Sequence, residues 1–310
     1  MNAMPLSAAE LCDAMRHGRA FDPARLNRIL AIDTQRGLIE VQAATPWAAI
    51  AAALRPGDAL AASAASAALP GVDDSLACNA PGPDGAPAVT HVQALTLVSP
   101  DGELRRLSRH REPELFSLVV GGFGLFGALY SVTLSMESLS RTVEKAAPPQ
   151  RIVLGPGAPG ARPLELLLPP ERLERFVADS DATARAWRLP LHCAEVRRTA
   201  PEEDSFLRWA SRDFAQLKLH FAGAEGLGAR VRLAQLRREL IDAAIVAGGR
   251  FHIASTREAT RAQLEACYPQ LPAFLDHKRR FDPRERLTNP WYVHQRGLLL
   301  GERCEVRWGG

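Results

Sequence analysis

The chain has 310 residues, of which 46% are hydrophobic and 24% are charged, a composition typical of a globular protein that forms two lobes. Its 38 basic and 35 acidic residues are spread along the whole chain, which argues against a basic face for nucleic acid or an anionic membrane. No apolar run reaches the ~20 residues that span a bilayer, and the first residues lack the order of a signal peptide, so we expect a cytoplasmic protein.

The cysteines and histidines show no pattern typical of a disulfide framework or a metal site. The eight histidines form no H-E-x-x-H pair, and the five cysteines are an odd number without C-x-x-C spacing. We therefore expect no metal and buried free thiols in a reducing compartment at Cys12, Cys78, Cys193, Cys267 and Cys304.

The first part of the chain predicts short helices and strands in alternation. Ser7 and Glu10 have the spacing of a capping box at the start of a helix. Two short strands are predicted at about 28–33 and 38–43. Residues 70–87 contain three glycines and four prolines, and we expect this stretch to be irregular.

A hairpin and a glycine-rich stretch come next. The segment THVQALTLVSPDGELRRLS predicts a strand, a Pro-Asp-Gly turn and a second strand, and REPELFSLVVGG predicts a short helix that ends at Gly121. The following residues, GGFGLFGALYSVTL, place four glycines before a strand. Such glycines let a flat ligand lie against the backbone, although by themselves they are more typical of a helix end and a tight turn.

The second half predicts strands and amphipathic helices. PLELLLPPERLERFVADSDATARAW gives a strand and a helix, and CAEVRRTAPEEDSFLRWASRDFAQLKLHFAG gives two strands joined by a polar connection. A longer helix follows and ends at Gly248–Gly249, with an apolar face formed by Leu233, Leu236, Leu240 and Ala244.

Taken in order, these blocks resemble a known flavoprotein superfamily. IEVQAATPWAAIAAAL, SLACNAPG, HVQALTLVSPDGELRRLS and EPELFSLVVGGFGLFGALYSVTL resemble the FAD-binding domain of the vanillyl-alcohol oxidase / p-cresol methylhydroxylase (PCMH) superfamily over about residues 7–136. The tail, with its Gly-Gly strand, Tyr-Pro, helix and Asp-Pro turn, is similar to aldonolactone oxidases, alditol oxidase and decaprenylphosphoryl-ribose oxidase.

The resemblance implies an α+β, two-lobed FAD-binding PCMH-type fold whose cap domain is a mostly antiparallel sheet with helices on one face. It implies an FAD-binding lobe at about residues 1–140, a cap or substrate domain at 141–275, and a C-terminal segment at 276–310 that returns to the FAD lobe. The implied partner is a small, hydroxyl-bearing and sugar-like substrate. The residues implied to hold FAD are Ser75, Asn79, Gly82, Gly121, Gly122, Gly124 and Leu129, the last through main-chain groups facing the adenine.

The candidate catalytic base is His252, because an imidazole with an ordinary pKa of ~6.5 accepts a proton near neutrality. The alternative, equally weighted, is a partly buried histidine whose ring is satisfied by a main-chain carbonyl. His277 and Lys278 are further candidates, although a His-Lys-Arg-Arg run is more typical of a solvated helix face. Trp47 and Trp291 either flank a ring or belong to the core.

The sequence also departs from the family pattern. The glycine-rich phosphate loop, which often carries the histidine that anchors the flavin covalently, is absent between the first helix and the first strand, so we expect non-covalent FAD. The positive charges of four arginines could replace part of the anion binding of that loop: Arg16, Arg19, Arg25 and Arg28. The alternative, which is the more common case, is that these residues are ordinary solvated surface.

Two other departures concern charge. Asp73–Asp74 stand where the family has Gly-Gly, and carboxylates there would repel a pyrophosphate. Ser255 stands where decaprenylphosphoryl-ribose oxidase has a lysine. Two functions therefore remain open: an FAD-dependent oxidoreductase acting on a CH–OH group, and a non-catalytic descendant that serves as a binding or scaffold protein.

Overall fold

The computed structural model describes residues 3–54, 71–81, 85–145, 149–155, 163–222, 226–255 and 257–301. The chain divides into two compact units. The first consists of Met1–Ala147, Glu202–Arg208 and Ala273–Asn289, and the second of Pro148–Pro201, Trp209–Pro272 and Pro290–Gly310. Among the described residues, no helix has the length and apolar character needed to cross a bilayer.

The first unit is built on a five-stranded antiparallel sheet in the order β1-β2-β5-β3-β4. Its strands are β1 (Ile29–Asp33), β2 (Leu38–Gln42), β3 (Val92–Val98), β4 (Leu104–Leu107) and β5 (Ala128–Ser135). Its helices are α1 (Ala8–Arg16), α2 (Trp47–Leu54), α3 (Val72–Ala77), α4 (Pro113–Val119) and α5 (Met136–Lys145).

The predicted start of α1 is confirmed. The Ser7 hydroxyl accepts a hydrogen bond from the Glu10 N–H at 3.3 Å, and the Glu10 carboxylate accepts one from the Leu6 N–H at 2.8 Å. These bonds satisfy N–H groups that have no partner within the first helical turn. The apolar face of the helix, with Leu11 and Met15, is buried in a cluster that includes residues of β3 and β5.

The prediction that residues 70–87 are irregular is wrong, because this stretch contains helix α3. Gly71 stands at the N-cap, and Asp73 and Asp74 lie in the first turn, where negative charge is favourable beside the free N–H groups. The glycines and prolines lie on both sides of this six-residue helix, and so they predict an irregular stretch although the residues between them are helical. Asn79 then takes a left-handed φ of 48° and turns the chain away.

The second unit contains another five-stranded antiparallel sheet, in the order β10-β7-β9-β8-β6. Its strands are β6 (Gln150–Val153), β7 (Leu164–Leu168), β8 (Leu191–Thr199), β9 (Phe214–Phe221) and β10 (Arg250–Phe251). The helices that follow in the chain are α6 (Leu173–Ala186), α7 (Gly226–Val246), α8 (Arg261–Cys267), α9 (Leu271–Phe281) and α10 (Pro290–Leu300). From Ala273 onward, α9 belongs to the first unit.

The two faces of this second sheet differ in chemistry. Leu166 and Leu217 pair across β7 and β9 on the apolar face, where both are fully buried, and the strands pack against α6 and α7. The opposite face carries Glu165, Lys218 and Glu195 side by side in the register of β7, β9 and β8. We call it the polar face. The alternation follows from the two-residue period of a strand, and the expected α+β class is confirmed.

Candidate functional site

The glycine-rich turn after α4 lies on the end of α3. The Gly121 N–H donates to the Leu76 carbonyl and the Phe123 N–H to the Ala77 carbonyl, both at 2.8 Å. A Cβ built on Gly121 would lie 3.5 Å from the Cβ of Asn79. The structure therefore brings together two blocks that the sequence analysis assigned separately to FAD binding.

The glycines of this turn have different reasons to be glycine. Gly121 and Gly124 have left-handed φ angles of 70° and 71°. A Cβ on Gly122 would lie 1.9 Å from the Leu118 carbonyl oxygen, so Gly122 is required to close α4 whether or not a ligand binds. Gly124 is exposed, and no other described atom lies within 4 Å of such a Cβ, so a flat ligand has access to the backbone there.

The polar side chains predicted for FAD binding are engaged in the packing of the first unit. The Ser75 hydroxyl accepts a hydrogen bond from the Trp47 indole N–H at 2.8 Å, and Trp47 is half-buried. The Asn79 side chain is fully buried, and its carbonyl oxygen accepts a bond from the Val89 N–H at 3.0 Å. Both residues therefore hold the turn in place from within the protein.

Leu129 lies in β5 opposite Leu97 and is half-buried, whereas Gly82 lies outside the described residues.

The main-chain donors of the glycine turn are largely used within the protein. The N–H groups of Gly121, Gly122, Phe123 and Leu125 each donate to a main-chain carbonyl. The turn thus has an open backbone surface at Gly124, but these four N–H groups are not available to a pyrophosphate.

Asp73 and Asp74 lie on α3, the helix whose end is hydrogen-bonded to this glycine turn. Burial raises the pKa of Asp73 to about 6, and the neighbouring charge of Asp74 acts in the same direction. At pH 7 this carboxyl is mostly ionised and disfavours an anion nearby. The four arginines of the corresponding N-terminal region are all exposed: Arg16, Arg19, Arg25 and Arg28.

In the second unit, His252 directly follows β10, and its N–H donates to the Glu165 carbonyl at 3.0 Å. The side chain is 4% exposed, and its ring centroid lies 5.1 Å from that of Trp209. Within the described part of the chain, neither ring nitrogen has a hydrogen-bond partner. Burial lowers the pKa of His252 below its usual 6.5, so the imidazole is neutral at pH 7.

Three polar residues accompany His252 on the polar face, and the sequence analysis missed them. The Glu165 carboxylate accepts a hydrogen bond from the Gln216 amide at 3.1 Å and lies 3.5 Å from the Lys218 ammonium. The strict alternation of FAQLKLHF, with Gln216 and Lys218 at every second position, is the signal that predicts a shared polar face. Ser255 only closes the turn, because its hydroxyl donates to the His252 carbonyl at 2.8 Å.

The other candidate bases are placed differently. Lys278 is fully buried and ion-paired with Asp282, so the expectation of a solvated helix face is wrong for this residue. Its pKa is lowered by burial, against which the Asp282 carboxylate acts. His277 lies 3.3 Å from the Glu114 carboxylate in the first unit. Trp291 is buried in the second unit, where its indole N–H donates to a main-chain carbonyl at 3.2 Å.

Comparisons with known proteins agree with this architecture. Residues 11–108 match the model of a family described as FAD binding domain. A comparison with the curated proteins finds no match. Among solved structures, the carbohydrate oxidase from Microdochium nivale in complex with a substrate analogue matches with a TM-score of 0.60 and 12% identity, over 94% of this chain and 86% of that chain. At this identity the likeness shows a shared fold. Residues 11–108 are thus similar to an FAD-binding domain, and the chain shares the fold of this carbohydrate oxidase over nearly its whole length.

Proposed function

We propose that this protein is an FAD-dependent oxidoreductase that oxidises a CH–OH group of a small, sugar-like substrate, with His252 as the base that accepts the hydroxyl proton. The observation that carries the proposal is the buried imidazole without a hydrogen-bond partner in the described part of the chain. Bound FAD supplies the acceptor for the hydride. The protein supplies the proton acceptor and the contacts that orient the substrate.

A neutral, buried imidazole suits this role. Buried polar groups are almost always hydrogen-bonded, so an exception calls for a reason, and perturbed groups concentrate at functional sites. A substrate hydroxyl within about 2.6–3.2 Å of a ring nitrogen would provide the missing partner. Because burial keeps His252 unprotonated at pH 7, its acceptor lone pair is available without a prior deprotonation.

The remaining roles follow from the two units taken separately. In the first unit, the glycine turn, held from within by Ser75 and Asn79, forms the surface for the adenosine end of non-covalent FAD, and Leu129 offers main-chain groups to the adenine. In the second, Glu165, Gln216 and Lys218 supply both acceptors and donors for the hydroxyl groups of a sugar. One solved structure that shares this fold is a carbohydrate oxidase, which supports this choice of substrate class.

One observation favours the second candidate function, a non-catalytic descendant that binds or scaffolds. The main-chain N–H groups of the glycine turn are already engaged, and Asp73 and Asp74 lie on the adjacent helix. These features disfavour the pyrophosphate of FAD. An absorbance spectrum of the purified protein, before and after incubation with FAD, separates the two: flavin bands support the enzyme, and a protein that takes up no FAD supports the descendant.

The contribution of the glycine turn is tested by Gly124→Asn. Gly37 is a matched control, because it also has a left-handed φ, of 64°, and no other atom of the described part of the chain within 4 Å of a built Cβ. Asparagine tolerates this conformation, so both substitutions carry the same small backbone cost. We expect Gly124→Asn to weaken FAD uptake at least tenfold and Gly37→Asn to leave it unchanged. Equal uptake by the two variants would place the cofactor elsewhere.

The role of His252 is tested by stopped-flow reduction of the bound flavin with a panel of sugars. We expect His252→Ala to slow reduction by roughly 10²–10⁴-fold while the flavin content stays the same, the usual effect of losing a general base. A loss of less than tenfold would assign His252 to structure.

A further inference from the structure

Two neighbouring strands of the second unit bring together a thiol, a carboxylate and an imidazole. Cys193 and Glu195 belong to β8, and His220 belongs to β9. One ligand atom from each lies within 4.8 Å of the other two, and no other His, Cys, Asp or Glu group in the described ranges shows such a set of three. The three residues have no role in the function proposed above.

The strand register explains this grouping. Cys193 and His220 are direct partners across β8 and β9, and Glu195 is two residues farther along β8, on the same face. The side chains come from different strands, so no local motif reveals them. The sequence expectation that the protein holds no metal rested on spacing along single segments and did not consider cross-strand pairs.

The local contacts leave these atoms available to an ion. The His220 Nε2 atom is buried and has no hydrogen-bond partner among the described residues. It lies 3.6 Å from the nearer Glu195 oxygen, too far for a hydrogen bond. Lys218 is directly opposite Glu195 in the strand register, but its ammonium group forms an ion pair with the Glu165 carboxylate, at 3.5 Å. Cys193 is 1% exposed and forms no disulfide with another cysteine of the described ranges.

The distances and ligand types suit zinc. With metal–ligand bonds of about 2.0–2.3 Å, the atoms around a tetrahedral zinc ion are roughly 3.3–3.8 Å apart, a range that includes the 3.6 Å between His220 and Glu195. Cysteine, histidine and carboxylate are the side chains that zinc prefers, and a combination with sulfur disfavours magnesium and calcium.

We propose that Cys193, Glu195 and His220 bind one zinc ion. On binding, the Cys193 S–H bond breaks, its proton passes to solvent, and the thiolate forms the zinc–sulfur bond. Three protein ligands leave the fourth position of a tetrahedral ion to water or to an oxygen atom of a small molecule. Binding at these strands does not require FAD, so it is measured on flavin-free protein.

The experiment uses chelator-treated, flavin-free protein titrated with Co²⁺, a spectroscopic substitute for zinc. We expect one equivalent to bind with an intense thiolate-to-cobalt charge-transfer absorption, and zinc to displace it. Cys193→Ser should abolish this absorption. His220→Gln should weaken binding by about 100-fold or more, because losing a residue that only orients a metal ligand already costs about 10–100-fold. Cys267→Ser, which alters another buried cysteine of the same unit, is the matched control.

Thermal unfolding of the unaltered protein gives a second measurement that does not depend on any variant folding. Zinc should raise its Tm in a concentration-dependent manner, because an ion that binds the folded state stabilises it. Absence of both the charge-transfer absorption and the Tm shift would overturn the zinc site. Cobalt absorption that persists in Cys193→Ser would also overturn it, and would leave Glu195 and His220 as a simple ion pair.

Discussion

Replacing His252 with methionine should stabilise the protein, contrary to the usual effect of a substitution in a buried position. Methionine keeps a flexible apolar side chain against Trp209, whose ring centroid lies 5.1 Å from the imidazole. It removes two buried ring nitrogens that lack hydrogen-bond partners within the described residues. Leaving a buried polar group unsatisfied costs about 1–3 kcal/mol, and we expect a gain of that size at pH 7.5.

The gain should increase in acid. The pKa of His252 is lowered in the folded protein and is ~6.5 when unfolded, so below that pH the unfolded state binds a proton that the folded state does not. The original protein is therefore at full stability above pH 6.5 and loses up to about 1.4 kcal/mol per pH unit as the pH falls below it. Methionine does not titrate, so the His252→Met variant lacks this loss.

Urea unfolding at pH 7.5 and at pH 5.5 measures both effects, with the exposed His110→Gln as a control that should change neither. If His252→Met were less stable than the original protein at both pH values, the imidazole would be a structural residue with partners. That result would refute the proposed role of His252 as the catalytic base.

Three more predictions concern the first unit. Lys278→Met should lower the free energy of unfolding in urea by about 3–5 kcal/mol, because it leaves the buried Asp282 carboxylate without its ammonium partner. Adding Asp282→Asn should recover most of this loss, and additive effects in the double variant would contradict the prediction. Asp73→Asn should tighten FAD binding about fivefold at pH 7.5, and it should have less effect at pH 5, which is below the Asp73 pKa of about 6. A fluorescence titration measures both, and equal effects at the two pH values would show that the charge of Asp73 is irrelevant. Gly122→Ala should destabilise the fold by roughly 1–3 kcal/mol, because its Cβ would lie 1.9 Å from the Leu118 carbonyl oxygen, and an unchanged Tm would argue against this contact.

The sequence by itself determined the elements with strong local signals. The Ser7 cap fixes the start of α1, the turn at Pro100-Asp101-Gly102 fixes the hairpin of β3 and β4, and the glycines at 121–124 mark the turn before β5. Each of these signals acts on the few residues next to it, through a hydrogen bond to a neighbouring N–H or through a restricted φ. The order of such elements was enough to predict the α+β class and the FAD-binding domain that residues 11–108 match.

Only the tertiary structure decided which polar side chains are buried and which of them contact each other. Lys278 lies in a basic run that predicts a solvated face, yet the fold buries it beside Asp282. The His252 ring has no hydrogen-bond partner among the residues that the structure describes, and Cys193 contacts His220 because two strands far apart in the chain pair in one register. Burial and register depend on residues far apart in the chain, and these long-range contacts set both the neutral state of His252 and the composition of the proposed zinc site.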